Sequence, residues 1–309
     1  MNSANTGVNI AISFHNVTKR FVEKEAVSSV TLQIARGQVF GLIGPNGAGK
    51  TTIFSMMAGF LKPSSGIVEV LGFRAGDTAA LSSRIGVLPQ DALLPSGETV
   101  GDFLTNMAAL QGFGRNAKTV ARDALNDVGG GDWWTMRCSG LSHGMAKRVA
   151  IAQAFLGEPE LVLLDEPTAG LDPRVAFEVR QQILKRKGRS TIVVSSHNLH
   201  ELEEICDAAA ILDHGKIVAC NAIAELTASN EELHIQLSEG AIPLEAIRAI
   251  SLVTHAAFDS ERGDLSVYFK AGDVDSVMFE VLTALLREKA RVRGVSVGRG
   301  LEKRVMELT

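Results

Sequence analysis

The chain has 309 residues, enough for one large domain and a second small one. Hydrophobic residues make up 46% and charged residues 21%, a globular balance that excludes a disordered chain. A formal net charge of −4 supplies no basic excess, so no nucleic-acid partner is expected.

The chain opens on MNSANTGVNI, which has neither a basic nor an apolar stretch of the kind that directs export; residues 1–9 read as a tail. No segment approaches the ~20 apolar residues that cross a bilayer. Cys138, Cys206 and Cys220 are scattered and lack metal-ligand spacing, which fits buried thiols in a reducing cytoplasm. NIAISFHNVTKRF, from Asn9, and AVSSVTLQIARGQ alternate as strands do. An apolar run, Val39 to Ile43, then leads into a Gly-rich turn that fits G-x-x-x-x-G-K-T from Gly44 to Thr51, followed by a helical pattern. Successive N–H groups of such a turn point at phosphate oxygens. Lys50 can reach the β- and γ-phosphates, and the Thr51 hydroxyl suits Mg2+.

SRIGVLPQD reads as a strand ending in Gln90, whose amide can bond a Mg2+ ligand or a water. Thr99 and Asp102 form a cap signature ahead of VGDFLTNMAALQGF. That stretch opens a helical insert to about Trp134, in which Trp133 and Trp134 are expected to pack rather than to bind a ligand. In CSGLSHGMAKRVAIAQAF, Ser142 and Gly144 precede an apolar stripe of Val149, Ile151, Ala152 and Phe155. This is a helix start, where free N–H groups bind anions. ELVLLDEPTAGLDP reads as a strand ending in Asp165 and Glu166. Two carboxylates there can form a solvated turn; behind a P-loop, Asp165 instead suits Mg2+ through its waters and Glu166 suits an attacking water. STIVVSSHNLHELEEICD reads as a strand ending at His197, which taken alone is a cap or surface residue. All four strand ends belong to one end of an expected parallel sheet, where such folds collect ligand groups.

Taken in order, GPNGAGKT, the strand-ending Gln, LSHGM, LLDEP, AGLD and the strand-ending His resemble the ATP-binding subunit of an ABC transporter over about residues 10 to 220. The resemblance implies an α/β P-loop NTPase domain with antiparallel β and helical subdomains, the helical one at about 91–155, and ATP and Mg2+ as cofactors. Gly44, Pro45, Asn46, Gly47, Ala48, Gly49, Lys50, Thr51 and Thr52 correspond to the Walker A loop, and Gln90 to the Q-loop residue near the metal. Asp165 corresponds to the Walker B aspartate, Glu166 to the catalytic base and His197 to the switch histidine. Ala169 to Asp172 correspond to the D-loop. Phe21 stands where the family stacks an aromatic ring on adenine, with plain packing as the alternative.

The same resemblance gives Ser142, His143 and Gly144 to the signature that binds the γ-phosphate held by a second subunit. A homodimer or a paralogous heterodimer would then sandwich ATP. The family's usual pattern is LSGGQ; here His143 and Met145 replace its first glycine and its glutamine. Losing the Gln side chain removes a neutral hydrogen bond of about 0.5–1.5 kcal/mol. Losing a catalytic electrostatic donor would cost ~3–4 kcal/mol. His143 can itself donate to an anion or can point to solvent, so an active subunit is expected beside a non-hydrolysing alternative.

Beyond the nucleotide motifs, residues 221–309 alternate as β-α-β-β-α-β-α, the order of a small α+β ferredoxin-like accessory domain. Its final Leu-Glu-x-x-Val helix resembles the export branch of the family, which works with a separate membrane permease. The leading reading is an ATP-hydrolysing motor, cytoplasmic and peripheral on the inner face of the cell membrane. A catalytically degenerate regulatory subunit is one alternative. A soluble ABC ATPase acting on DNA or ribosomes is the other, disfavoured by the lack of a coiled-coil insertion, a second P-loop or a basic excess.

Overall fold

The computed structural model describes residues 9–22, 24–227, 231–238, 242–260, 263–269, 274–298, 301 and 305. They fall into two compact units that divide between Asn221 and Ala222. Most of the expected tail, residues 1–8, lies outside the described residues.

The first unit is built on a six-stranded sheet. Its members are β3 (Val39–Ile43), β6 (Ile85–Leu88), β7 (Leu161–Asp165), β8 (Thr191–Ser195), β9 (Ala208–Asp213) and β10 (Lys216–Ala222), in the order β10-β9-β3-β8-β7-β6. Every residue of β3, β7 and β8 is buried. Continuous apolar runs of this kind belong to parallel strands covered on both faces, and β6, β7, β8, β3 and β9 do pair in parallel. The register sets Leu42 and Asp165 against Ser195, and Leu88 against Leu164. The chain therefore leaves four neighbouring strands along one edge. Gln90 and His197 each stand two residues past their strand, because β6 stops at Leu88 and β8 at Ser195.

A second, antiparallel sheet joins β1 (Ile10–Phe21) and β2 (Lys24–Ala35) to β4 (Ser65–Val70) and β5 (Phe73–Arg74), in the order β2-β1-β4-β5. The last two strands were not anticipated from sequence. Phe14 and Ile34 of this sheet, Phe40 and Leu42 of β3, and Ile53 and Met56 of α1 (Lys50–Met57) share one core. That core fixes the β1–β2 hairpin beside the turn that precedes α1.

The helical part comprises α2 (Thr78–Leu81), α3 (Val100–Leu110), α4 (Ala117–Asp127) and α5 (His143–Ala154). Thr99 caps α3 as expected: its hydroxyl accepts from the Asp102 N–H at 3.1 Å and donates to the Asp102 carboxylate at 2.7 Å. Trp134 packs on Gly101 so closely that a methyl group there would sit 2.4 Å from the indole. Arg122 stacks on the Trp134 ring and Arg148 on Trp133, so both tryptophans serve packing. The helices α6 (Pro173–Arg186) and α7 (Leu199–Ile205) complete the unit.

The second unit starts with α8 (Ile223–Thr227), which is followed by β11 (Glu231–Leu237), α9 (Leu244–Arg248), β12 (Val253–Asp259), β13 (Asp264–Phe269), α10 (Val274–Arg287) and β14 (Val292–Gly298). Its sheet runs β12-β13-β11-β14 with every pair antiparallel, which is the ferredoxin-like arrangement. Leu233, Ile235, Val267 and Phe269 of the sheet pack on Val277, Val281 and Leu285 of α10. The expected closing helix lies largely outside the described residues; Leu301 and Val305 within it are helical. Among the described residues, no helix is long and apolar enough to cross a membrane.

Candidate active site

A pocket of about 320 Å3 lies where the hairpin, the Gly-rich turn and the strand edge meet. It is lined by Phe21, Lys24, Ala26, Asn46, Gly47, Gly49, Lys50, Thr51, Thr52, Gln90, Asp165 and Glu166. Gly49 takes φ +107°, and a Cβ there would meet the Ala26 carbonyl oxygen at 2.6 Å, so only glycine closes this turn against the hairpin. Helix α1 starts at the next residue, where first-turn N–H groups lack intrahelical partners and favour anions. Lys50 Nζ donates to the carbonyls of Gly44 and Pro45 at 2.6 and 3.1 Å. Burial lowers the Lys50 pKa, while Glu166 and Asp165 pull it back up. Phe21 is 49% exposed, with the Lys19 ammonium 5.3 Å from its ring centre. An exposed aromatic at a pocket rim suits a flat ring.

The carboxylates stand at the junction of β7 and β8. The Ser195 hydroxyl donates to Asp165 and accepts from the Glu166 N–H at 3.0 Å. The Asp165 pKa is raised, chiefly by burial and against the Ser195 hydrogen bond. Glu166 has φ +49°, an unusual backbone for a residue with a side chain, and such strain collects at functional sites. Its carboxylate lies 2.8 Å from His197 Nδ1. His197 is itself largely exposed, whereas the Glu166 side chain is largely buried.

Ser142, His143, Gly144 and Asp172 lie outside this pocket's lining. Ser142 caps α5, its hydroxyl accepting from the Met145 N–H at 3.3 Å. Asp172 caps α6, accepting from the N–H groups of Arg174 and Val175 at 3.1 Å each. His143 rests beside the D-loop: a methyl group at Gly170 would meet its Nε2 at 3.1 Å. Sequence reasoning did not identify Lys24, Ala26 or Ser195 at the site. Lys24 pairs across the hairpin from Phe21, so a cation near that aromatic was the available signal. Ser195 carried no signal, since its role depends on the β7–β8 register.

A family profile described as ABC transporter matches residues 27–169. An uncharacterized ABC transporter ATP-binding protein of Synechocystis is 36% identical over 70% of this chain and 62% of its own length. The chain thus spans less than two thirds of that relative. The Nod factor export ATP-binding protein I of Rhizobium sp. is 36% identical over 68% of this chain and 70% of its own length. The chain belongs to the ABC transporter family, as an ATP-binding subunit. A solved ABC cassette, the dimeric MJ0796 bound to ADP and Pi, superposes with a TM-score of 0.63, over 68% of this chain and 98% of that one, at 24% identity. It shares the fold.

For an ABC ATP-binding subunit the pocket chemistry fits Mg2+. The Thr51 hydroxyl, the Gln90 amide oxygen and the Asp165 carboxylate are hard oxygen donors along one lining, as that ion prefers. Burial disfavours the Asp165 anion, and a bound dication would offset that cost.

Proposed function

We propose that the chain hydrolyses ATP as the motor of an exporter, working on a separate membrane permease from the cytoplasmic face of the membrane. The observation that carries this reading is the convergence of Lys50, Thr51, Gln90, Asp165 and Glu166 on one pocket, with His197 2.8 Å from Glu166. In this reading the turn from Gly44 to Thr52 wraps the phosphates, Lys50 exchanges its carbonyl partners for phosphate oxygens, and Phe21 stacks on the base. Thr51, Gln90 and Asp165 would hold Mg2+, which when bound would neutralise charge on the phosphates. Glu166 accepts a proton from the attacking water, and His197 holds the Glu166 carboxylate in place.

Ser142, His143 and Gly144 stand apart from the pocket of their own chain, which fits a role at the nucleotide of a second copy or of a paralogue. Asp172, which also lies outside that pocket, takes the same role in this reading. The solved MJ0796 cassette is dimeric, and a closed two-fold pair is the expected form here. Residues 10–220 are the ATP-binding domain in this account and 221–309 an accessory domain that stabilises or regulates the dimer. The Nod factor export relative supports the direction of transport.

The test is hydrolysis of MgATP by the purified chain. Wild type turns over, whereas Glu166→Gln binds ATP with unchanged affinity and loses at least about a hundredfold in kcat. Equal rates for the two proteins would remove Glu166 from the chemistry. Absence of turnover in wild type would favour the non-hydrolysing regulatory subunit.

A further inference from the structure

The two loops that carry Glu166 and His197 are tied together by a group outside the nucleotide pocket. Thr168 lies two residues past Glu166, and Ser196 immediately precedes His197. Both hydroxyls converge on the same oxygen of Glu201 in α7: Thr168 Oγ1 donates at 2.5 Å and Ser196 Oγ at 3.4 Å. The other oxygen of Glu201 accepts from Arg180 Nη1 of α6 at 3.1 Å. Ser196 Oγ also accepts from the Asn198 N–H at 3.0 Å, closing the turn that bears His197. These groups line a second pocket of about 410 Å3.

The side chains of Glu201 and Arg180 are only 13% and 16% exposed, so the pair is poorly screened by solvent. A charge this far from water is kept where its partners satisfy it. Besides Arg180, those partners of Glu201 belong to the two reacting loops, Thr168 to one and Ser196 to the other. The left-handed backbone of Glu166 persists only if its surroundings over-determine it. Its turn is closed by the Ala169 N–H on the Glu166 carbonyl at 3.3 Å, and Thr168, inside that turn, is the residue Glu201 holds.

We propose that Glu201 is a positioning residue for hydrolysis, pinning Thr168 to Ser196 and thereby setting the 2.8 Å contact between Glu166 and His197. The inference rests on the ATPase reading and adds a residue to it. None of Glu201, Thr168, Ser196 or Arg180 lines the nucleotide pocket, so their loss acts on turnover and leaves binding intact.

The test is steady-state MgATP hydrolysis by the full-length chain, comparing wild type with Glu201→Ala, Glu201→Gln and Thr168→Val. Glu201→Ala lowers kcat by about ten- to a hundredfold, the scale of a small misplacement at the reacting groups, with KM for ATP within about twofold of wild type. Glu201→Gln keeps an oxygen acceptor and recovers part of the loss. Combining Thr168→Val with Glu201→Ala adds no further loss, because both remove one link. A folded Glu201→Ala with wild-type kcat, or with its defect confined to KM, overturns the inference and leaves the ATPase reading standing. Should Glu201→Ala fail to fold, wild-type kcat in Thr168→Val overturns it equally. A wild-type chain that does not hydrolyse ATP overturns the ATPase reading, and the positioning role falls with it.

Discussion

Asp165 carries an electrostatic cost that nucleotide-bound metal would relieve. Its carboxyl pKa is raised by burial, so the native state holds that proton more tightly than the unfolded chain does. The penalty is therefore absent below the ordinary aspartate pKa and grows as pH rises through the window up to the raised value. Asp165→Asn removes it while keeping an acceptor for the Ser195 hydroxyl. The variant should melt higher than wild type at neutral pH without nucleotide, and this gain should shrink in acid. It should also lose Mg2+-dependent hydrolysis. Differential scanning calorimetry across pH, beside an ATPase assay, checks both; a variant that melts lower at neutral pH contradicts the assignment. Lys50, Asp165, Glu166 and His197 were legible in the sequence because each sits at a fixed short distance from an apolar strand. Ser195 and Glu201 were not. A serine in VVSSH and a glutamate in HELEE have no local pattern, and their partners come from β7, the turn after it and α6. The place of His143 beside Gly170 of its own chain likewise had no local signal in the sequence.

At the scale of elements, helix α5 packs on β6 through a glycine with no room to spare. A Cβ at Gly86 would lie 1.7 Å from the Ala154 carbonyl oxygen, so the helix end and the strand must separate to admit it. Gly86→Ala should destabilise the first unit by about 1–3 kcal/mol, as overpacking does. Equilibrium unfolding in urea measures this, and an unchanged midpoint would contradict the contact. Thr99→Ala should cost about 1 kcal/mol through loss of the α3 cap. The cap was readable from Thr99 and Asp102 alone. The strands β4 and β5 were not, because SGIVEV alternates over too few residues and Phe73–Arg74 is only two residues long. In the second unit the longer alternating segments revealed the order of elements, and the antiparallel sheet followed from that order.

At the scale of the whole molecule, the two units have separate cores. A chain ending after Asn221 should therefore fold and bind ATP with an affinity within a few-fold of the full chain. Isothermal titration of both proteins checks this, and loss of binding on truncation would make the second unit part of the site. The central claim is that ATP turnover needs two chains, since the signature residues stand outside their own chain's nucleotide pocket. Sedimentation velocity of Glu166→Gln tests it most directly. With MgATP the protein should sediment as a dimer, and without nucleotide, or with Lys50→Ala in its place, as a monomer. A wild-type chain that stays monomeric in MgATP while hydrolysing it at full rate would contradict the claim.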